Sequence, residues 1–307
     1  MIALLAPGQG SQAPGMLAPW LELPGAAERL AGFSEVAGLD LARLGTTADA
    51  DEIKDTAITQ PLIVAATLLA FEELARRVEI PADAVVAGHS IGEFAAAALA
   101  GALTAEDALA LAAVRGREMA AACELEPTGM AAIVRGTEAD ILARLDELGL
   151  VAANRNGAGQ IVAAGSRSAL EKLAAEPPAG AKAIALKVAG AFHTHYMAPA
   201  QDALRAHAAT LAAPADPART LLSNADGAVV GSGAEVLDRL IEQVTSPVRW
   251  DRCMATMAER GVEAVVEFPP AGALVGLAKR ELKGTPTVAL KTPADLDTVI
   301  ALIGSAE

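Results

Sequence analysis

The chain has 307 residues, of which 53% are hydrophobic and only 3% aromatic, and its formal net charge is −14. That length suits one large domain, or a large domain that carries a smaller one. The acidic balance argues against a nucleic-acid-binding protein, because such proteins need clustered basic charge. Two cysteines, Cys123 and Cys253, are too few for a disulfide framework, and no Cys/His cluster has the spacing of a zinc site.

Nothing in the sequence indicates a membrane or secreted protein. The uncharged apolar stretch near Phe94–Leu103 has about half the length that a bilayer span needs. Residues 1–5 lack the basic flank of a secretory signal and run directly into a glycine turn. We therefore expect a soluble, cytoplasmic α/β protein.

The first part of the chain predicts alternating strands and helices. In chain order these are a buried strand at 2–6, a helix at 60–77, a short strand at 85–87, an Ala-rich helix from 93 and a helix from 104 to about 123. We place Thr59 at the cap of the helix 60–77, with Pro61 in its first turn. Thr104, followed by Asp107, resembles a capping box.

The middle of the chain predicts the order β-α-β-β-α-β, which is that of a split-βαβ or ferredoxin-like unit. The strands are expected near 129–134, 150–153, 160–164 and 183–188, and the helices near 137–148 and 166–175. We interpret 126–189 as a small subdomain inserted into a large domain formed by 1–125 and 190–307. The rest predicts helices near 197–211, 233–244, 251–260 and 271–282, and strands near 263–267 and 287–290. This alternation implies a mostly parallel sheet covered on both faces.

The segment Gly88-His89-Ser90-Ile91-Gly92 has the G-x-S-x-G pattern between a predicted strand and a predicted helix. In that context the turn holds a serine hydroxyl above the sheet on a strained backbone angle. The backbone N–H of Ile91 then faces the point where an acyl oxygen would develop negative charge. A serine bracketed by glycines through chance is the alternative, but the flanking strand and helix favour Ser90 as a nucleophile.

A serine nucleophile needs a base, and the chain has four histidines, at positions 89, 193, 195 and 207. His89 is expected to point away from Ser90, and His207 lies inside a predicted helix. His193 and His195 lie where the inserted subdomain returns to the large domain, and such junctions form ligand clefts. The residues alone do not decide between His193 and His195.

A glycine-rich loop at 7–12 (PGQGSQ) follows the first strand, at the edge where α/β sheets bind ligands. A dinucleotide fingerprint would need a glycine at Ala13. We interpret the loop instead as the source of a second oxyanion donor, the backbone N–H of Gln9. A plain strand-to-helix turn is the alternative.

Six motifs occur together and in order: APGQGSQ at 6–12, TQP at 59–61, GHSIGE at 88–93, RGREM at 115–119, GAFHTHYM at 190–197 and QVTSPVRW at 243–250. With these motifs the chain resembles the malonyl-CoA:acyl carrier protein transacylase family of bacterial fatty-acid synthesis, and also the acyltransferase domains of polyketide synthases. The resemblance covers nearly the whole chain. It implies an α/β-hydrolase-like large domain with a mostly parallel sheet and an inserted ferredoxin-like subdomain.

Carried over position by position, the resemblance makes Ser90 the nucleophile. It makes His193 the base, because the family's histidine directly follows the phenylalanine or serine of this loop. Gln9 and Ile91 match the positions whose backbone N–H groups form the oxyanion hole. Gln243 matches a glutamine whose backbone carbonyl region orients the base, and no acidic residue fills the third position of a triad.

The resemblance also implies two substrate-binding residues. Arg115 matches the arginine that binds the free carboxylate of a malonyl group, and a charge-assisted contact of this kind contributes about 1.5–3 kcal/mol. Taken alone, Arg115 would be expected to pair with a Glu on a helix surface. Phe192 matches a position where an aromatic ring accompanies malonyl and serine accompanies methylmalonyl, since overpacking costs about 1–3 kcal/mol. A core phenylalanine that touches no substrate is the alternative.

The function implied by the resemblance is a ping-pong transfer from malonyl-CoA, through a malonyl-serine, to the phosphopantetheine thiol of an acyl carrier protein. It implies no metal and no cofactor, since coenzyme A is part of the substrate, and we expect a monomer. The carrier serves fatty-acid or polyketide synthesis, and a free-standing chain of this length favours the former. The rival functions are a serine hydrolase or thioesterase, which would release malonate to water, and a non-catalytic module that docks carrier proteins.

Overall fold

The computed structural model describes residues 1–304 as a mixed α/β protein with two separate sheets. The strands are β1 Ile2–Ala6, β2 Val85–Gly88, β3 Thr128–Val134, β4 Val151–Gly157, β5 Gln160–Ser166, β6 Lys182–Ala185, β7 Thr220–Leu222, β8 Val229–Val230, β9 Ala264–Glu267 and β10 Thr287–Ala289. The α-helices are α1 Ala26–Ala37, α2 Leu41–Thr46, α3 Thr56–Arg77, α4 Gly92–Leu99, α5 Ala105–Cys123, α6 Glu138–Glu147, α7 Arg167–Ala175, α8 Ala198–Ala208, α9 Gly233–Glu242, α10 Trp250–Glu259, α11 Ala273–Glu281 and α12 Leu296–Gly304.

The larger sheet has the strand order β10-β9-β1-β2-β7-β8. Its strands pair in parallel except β8, which is antiparallel to β7. β1, β2 and β9 are buried along their whole length, as parallel strands covered by helices on both faces are. Leu4 and Leu5 enter two different apolar clusters because successive side chains of a strand point to opposite faces. The prediction of a mostly parallel sheet covered on both faces is confirmed.

The smaller sheet is antiparallel and has the order β4-β5-β3-β6. Its elements follow one another as β3, α6, β4, β5, α7 and β6, which confirms the predicted β-α-β-β-α-β order. One face packs on α6 and α7 through a cluster that includes Ile133 and Leu145. The opposite face, with Met130 and Val162, lines a cavity beside the larger sheet.

Main-chain hydrogen bonds connect the smaller sheet to the segment before α10. Arg155 N donates to Val248 O over 2.9 Å, and Val248 N donates to Ala153 O over 2.8 Å. The pairing gives β4 an additional parallel partner at this point. It therefore anchors one wall of the cavity to the rest of the protein.

The helix predicted at 60–77 begins earlier than expected, so Thr59 as its cap is wrong. α3 starts at Thr56, and the Asp55 side chain caps it by accepting from the Ala57 N–H over 2.8 Å. Thr59 is buried inside the helix and donates its hydroxyl to the Ile53 backbone oxygen. Aspartate is a stronger cap than threonine, which explains the shift. The predicted cap at Thr104 is confirmed, since its hydroxyl accepts from Asp107 N.

Among the described residues, α3 alone has the length and apolar composition to cross a membrane, with a mean hydropathy of 1.4 in its most apolar window. The protein itself buries 78% of that window. Leu62 and Leu69 of α3 belong to the main core cluster. The core helix of a globular protein passes the same test of length and composition.

Several elements were not predicted from the sequence. They are α1, α2, α12, β7 and β8, and the last two are only three and two residues long, too short to carry a periodicity. β4 also continues through residues 154–157, beyond the strand predicted near 150–153. Asn156 is buried there with its side chain hydrogen-bonded to His89, so a tertiary contact compensates for a polar strand residue.

Candidate active site

Ser90 lies in the turn between β2 and α4, with a φ of 54° in the left-handed region. The turn requires its two glycines, because a Cβ on Gly88 would lie 2.0 Å from the Gly92 carbonyl carbon, and one on Gly92 would lie 2.3 Å from Ala6 O. Asn224 holds the turn from the end of β7: it accepts from Ser90 N over 2.8 Å and donates to Gly88 O over 2.7 Å. The strained backbone is thus fixed on several sides.

His193 lies beside Ser90, in the segment between β6 and α8. Its Nε2 is 2.8 Å from Ser90 Oγ, and its Nδ1 is 2.9 Å from the backbone oxygen of Gln243. A carbonyl oxygen only accepts, so Nδ1 carries the proton and Nε2 is free to accept from the serine hydroxyl. The structure therefore brings together the three residues that the sequence analysis selected for the chemical step.

Burial and the nearby Arg115 charge lower the pKa of His193 to about 3. The hydrogen bond to the Gln243 backbone raises this pKa, but by less than burial lowers it. At neutral pH the imidazole is therefore uncharged and able to accept a proton from Ser90.

The other histidine of the same loop, His195, is exposed and stacks on Tyr196 with ring centroids 4.2 Å apart. It is not the histidine that contacts Ser90. His89 was expected to point away from Ser90, yet it lines the same cavity. There its Nε2 is 2.9 Å from Asn156 Oδ1, and its ring packs 5.6 Å from that of Trp250.

Arg115 projects from α5 and is only 1% exposed, but it lines the cavity that contains Ser90. Its Nη1 donates to Gln60 Oε1 over 2.6 Å, and its Nη2 to Gln243 Oε1 over 2.7 Å. Nη2 is also 3.3 Å from Ser90 Oγ. The alternative of a surface ion pair between Arg115 and a Glu is wrong, because within residues 1–304 the hydrogen-bond partners of this guanidinium are two glutamines and a serine.

The Arg115 guanidinium retains both a charge and an unused donor. Its Nε is buried and has no acceptor within the described part of the chain. Burial lowers the pKa of Arg115 to about 9, so the group stays protonated at neutral pH. A buried cation with a free N–H that borders a cavity is suited to an anionic ligand.

The cavity has a volume of about 250 Å³ and lies between the two sheets. Phe192 and Gln9 line it, and the Gln9 side chain donates to Thr56 Oγ1 over 3.0 Å. The smaller sheet and the segment after β6 form the opposite wall, with Met130, Ala132, Asn154, Asn156, Gln160, Val162, Leu186 and Val188.

The backbone N–H groups of Gln9 and Ile91 lie in loops that follow neighbouring strands at the same edge of the larger sheet. β1 and β2 pair in parallel with Ala6 opposite Gly88, so the loops that carry Gln9 and Ile91 begin side by side. Across residues 1–304, neither N–H donates to a main-chain acceptor in a turn, loop or cap. Their role as oxyanion donors remains a prediction.

Sequence reasoning missed three residues that hold this site together. Gln60 contacts Arg115, Asn224 contacts the Ser90 turn, and Glu93 accepts hydrogen bonds from both Asn224 N and Gln243 Nε2. Gln60 and Glu93 belong to the motifs TQP and GHSIGE, and this was the available signal. Asn224 follows a strand that the sequence did not predict, so nothing local indicated it.

Neither cysteine lines the cavity. Cys123 and Cys253 are both free and buried, and burial raises the pKa of the Cys123 thiol to about 11. In the part of the chain that the structure describes, no three His, Cys, Asp or Glu residues are grouped so that they could hold a metal ion.

A serine hydroxyl bonded to a neutral histidine can form an acyl ester, and a mostly parallel sheet with this turn is a known support for that chemistry. Fold and site thus define the class of serine acyl-transfer enzymes. Within this class the chain belongs to the acyl transferase family, whose domain model matches residues 4–300. The protein is an acyltransferase.

The relatives match nearly the full length of the chain. A protein of Mycobacterium tuberculosis named malonyl CoA-acyl carrier protein transacylase is 63% identical over 303 residues, which are 98% of this chain and 100% of that protein. The crystal structure of MCAT from Mycobacterium tuberculosis has a TM-score of 0.94 at 62% identity and covers 98% of this chain and 99% of its own. A malonyl-transacylase in complex with a type II polyketide synthase acyl-carrier protein has a TM-score of 0.90 at 29% identity, with 98% and 99% covered.

Proposed function

We propose that the chain transfers a malonyl group from malonyl-CoA to the phosphopantetheine thiol of an acyl carrier protein in fatty-acid synthesis. The observation that carries this proposal is the buried Arg115 guanidinium, which lies 3.3 Å from Ser90 Oγ and bonds to no carboxylate in the described residues. An acyl group with a carboxylate at its far end matches both groups at once, with the thioester carbon at Ser90 and the carboxylate at Arg115. The names of the relatives support the same substrates.

In the first half-reaction, Ser90 Oγ attacks the thioester carbon of malonyl-CoA and its proton passes to His193 Nε2. The Gln243 backbone oxygen accepts from Nδ1 throughout, so it stabilises the imidazolium that forms. The carbon–sulfur bond then breaks, and coenzyme A leaves with the proton from His193. The product is a malonyl ester on Ser90.

The developing oxyanion of the tetrahedral intermediate would be held by the backbone N–H groups of Gln9 and Ile91. Within residues 1–304 neither N–H donates to a main-chain acceptor in a turn, loop or cap, and the two loops begin side by side, which supports this role. Such donors act strongly because they are oriented before the reaction and lie in a site with little water.

In the second half-reaction, the phosphopantetheine thiol gives its proton to His193 and its sulfur attacks the malonyl ester. The ester bond breaks, and Ser90 recovers the proton from His193. Every proton is thus handled by one imidazole, and the reaction requires no metal and no cofactor apart from the coenzyme A of the substrate.

Phe192 would limit which acyl groups fit. It lines the cavity next to His193 and is only 7% exposed. A branch on the α-carbon of malonyl would compete with the phenyl ring for space, and overpacking of this kind costs about 1–3 kcal/mol. We therefore assign Phe192 to selection of malonyl over methylmalonyl.

The domain arrangement that accompanies this proposal has an α/β-hydrolase-like catalytic domain, 1–125 and 190–307, and a ferredoxin-like subdomain, 126–189. The antiparallel order β4-β5-β3-β6 supports the ferredoxin-like assignment. The sheet order with its Ser90 turn supports the hydrolase-like one. Residues 305–307 of the proposed catalytic domain lie outside the described residues.

We also propose that the chain works as a monomer in the cytoplasm, with no membrane or nucleic-acid partner. All residues of the proposed mechanism come from one chain, so a second copy has no chemical role. The net charge of −14 disfavours phosphate backbones.

The test is to incubate the purified chain with malonyl-CoA, with and without holo acyl carrier protein. Intact-mass analysis should detect a malonyl adduct on the wild type and none on Ser90→Ala, and malonyl should appear on the carrier. Transfer should fall by roughly 10⁴-fold or more in the variant, as when other serine nucleophiles are removed. Rapid release of malonate without carrier would identify a hydrolase, and binding of the carrier without any adduct would identify a docking module.

A further inference from the structure

Glu93 is a buried carboxylate one helical turn after Ser90, and the proposed reaction does not use it directly. It is 6% exposed, and no Lys or Arg of the described residues forms an ion pair with it. Its Oε1 accepts from Asn224 N over 2.7 Å, and its Oε2 accepts from Gln243 Nε2. A buried charge without a paired cation is costly, so the hydrogen bonds from Asn224 and Gln243 must stabilise the Glu93 carboxylate.

Gln243 connects Glu93 to the reacting groups. Its side-chain Oε1 accepts from Arg115 Nη2 over 2.7 Å, and its Nε2 donates to the Ser90 backbone oxygen over 2.7 Å as well as to Glu93. Its own backbone oxygen accepts from His193 Nδ1. One residue thus touches nucleophile, base and arginine.

The orientation of the Gln243 amide follows from donor and acceptor chemistry. A guanidinium only donates, whereas a backbone oxygen and an ionised carboxylate only accept. The amide oxygen must therefore face Arg115, and the amide nitrogen must face Ser90 O and Glu93. A flipped amide would set N–H groups against Arg115 and its oxygen against two acceptors.

From these contacts we propose that Glu93 is a positioning residue: its carboxylate orients the Gln243 amide and, through it, the Arg115 guanidinium that receives the malonyl carboxylate. This inference rests on the proposed function and deepens it. Glu93 thus influences the selectivity for the acyl group and does not alter the contact between Ser90 and His193.

Replacement of Glu93 by glutamine tests this role with almost no change in shape. The amide oxygen of the introduced side chain would still accept from Asn224 N, but its amide nitrogen would meet the amide nitrogen of Gln243. Either that repulsion persists, or the Gln243 amide flips and repels Arg115 Nη2. In both cases Arg115 loses its fixed position. This should weaken recognition of an acyl group that carries a carboxylate and should not affect one that lacks it.

Glu267 provides a matched control. It is also a fully buried carboxylate, and it accepts from the N–H groups of Gly272, Leu274 and Val275 at the start of α11. It contacts none of the groups around Ser90. Loss of a buried carboxylate as such should affect Glu267→Gln and Glu93→Gln alike in thermal stability.

The experiment measures kcat/KM for malonyl-CoA and for acetyl-CoA, which lacks the carboxylate, in the wild type, Glu93→Gln, Glu267→Gln and Gln243→Met. Gln243→Met keeps the backbone oxygen for His193 but removes the side-chain acceptor of Arg115. We expect the malonyl-to-acetyl ratio to fall about tenfold in Glu93→Gln and in Gln243→Met, and to stay unchanged in Glu267→Gln. The double variant should lose no more than either single variant, because both act through one contact.

An unchanged ratio in Glu93→Gln, or an equal loss for both acyl groups, overturns the inference. If Glu93→Gln does not fold, an unchanged ratio in Gln243→Met overturns it equally, because the proposed route to Arg115 passes through that amide. Failure of the proposed function gives a different result, namely a wild-type enzyme that does not prefer malonyl-CoA over acetyl-CoA at all.

Discussion

The two sheets contribute opposite kinds of wall to the same cavity. The turn after β2 of the larger sheet supplies Ser90, the proposed nucleophile, while the segment before α8 supplies the imidazole of His193 and α5 the charge of Arg115. The smaller sheet supplies neutral side chains such as Met130 and Asn156. The proposed reacting groups thus lie on one wall of the cavity, and neutral side chains of the smaller sheet form the opposite wall.

Burial explains this division. β1 and β2 are buried throughout, so the loops at their ends are held by the core on both faces. β6 at the edge of the smaller sheet is largely exposed, and β3 alternates between buried and half-buried residues. Strained backbone such as that of Ser90 persists only where the surrounding structure determines it. Substitutions in the first region should therefore affect the rate of chemistry, and those in the second the fit of the substrate.

The largest effect among the following variants is expected from His193→Ala. It removes the base 2.8 Å from Ser90 Oγ, and loss of general-base catalysis costs about 10²- to 10⁴-fold in rate. Stopped-flow measurement of malonyl adduct formation checks this. His195→Ala is the control from the same loop and should react like the wild type, so a comparable loss there would contradict the assignment.

A smaller but selective effect is expected from Arg115→Gln. Without the guanidinium, kcat/KM for malonyl-CoA should fall about 10- to 100-fold, the equivalent of one charge-assisted contact, while that for acetyl-CoA should change little. Steady-state kinetics with both substrates measure the difference. Arg117→Gln changes an exposed arginine on the same helix, which pairs with Glu118, and should leave both values as they are. A loss of equal size for both substrates would show that Arg115 supports the fold and does not recognise the acyl group.

As the pH is lowered, the rate of transfer should respond to protonation of Glu93 at a higher pH than to protonation of His193. Burial raises the pKa of Glu93 to about 7, against the opposing effects of Gln243, Asn224, Arg115 and Arg239, and burial keeps the nearby Cys253 thiol neutral. The active form has Glu93 ionised and His193 uncharged. As pH falls through about 7, Glu93 gains a proton and loses an acceptor, whereas His193, with a pKa of about 3, stays neutral.

We therefore expect kcat/KM for malonyl-CoA to fall below about pH 7 in the wild type and to level off about tenfold lower, because protonated Glu93 is as uncharged as the glutamine of Glu93→Gln. In Glu93→Gln this limb should be absent, because no carboxylate titrates there. A pH series in buffers of constant ionic strength provides the measurement. Persistence of the limb in the variant would assign it to another group.

The smallest effect is expected in the smaller sheet, from Asn156→Ala. Its Oδ1 is 2.9 Å from His89 Nε2, and it contacts neither Ser90 nor His193. The variant also loses the bond that Asn156 Nδ2 donates to Gln160 Oε1. Loss of a neutral hydrogen bond corresponds to a change of about tenfold or less, and we expect the effect in KM. Single-turnover acylation at saturating malonyl-CoA should keep its rate, and a large decrease in that rate would remove the proposed difference between the two regions.

The amino-acid sequence by itself determined those features whose physics is local. The apolar run of β1, the glycine-bracketed turn at Ser90 and the cap at Thr104 each depend on residues within a few positions of one another, so pattern and propensity suffice. The β-α-β-β-α-β order of the smaller sheet was predictable for the same reason. The cap of α3 was predicted at Thr59 although Asp55, a stronger cap residue, lies four positions earlier, so the helical pattern placed the start of this helix too late.

Only the tertiary structure decided which distant residues meet. His193 and His195 are nearly adjacent in the chain, but one contacts a serine 103 positions away and the other faces solvent. The packing of α5 against α3 brings Arg115 to Gln60, 55 positions away, and the same guanidinium meets Gln243, 128 positions away. Burial, charge and hydrogen-bond partners at such sites depend on contacts between remote segments. No local pattern encodes these contacts, because they form only when the sheets and helices have packed.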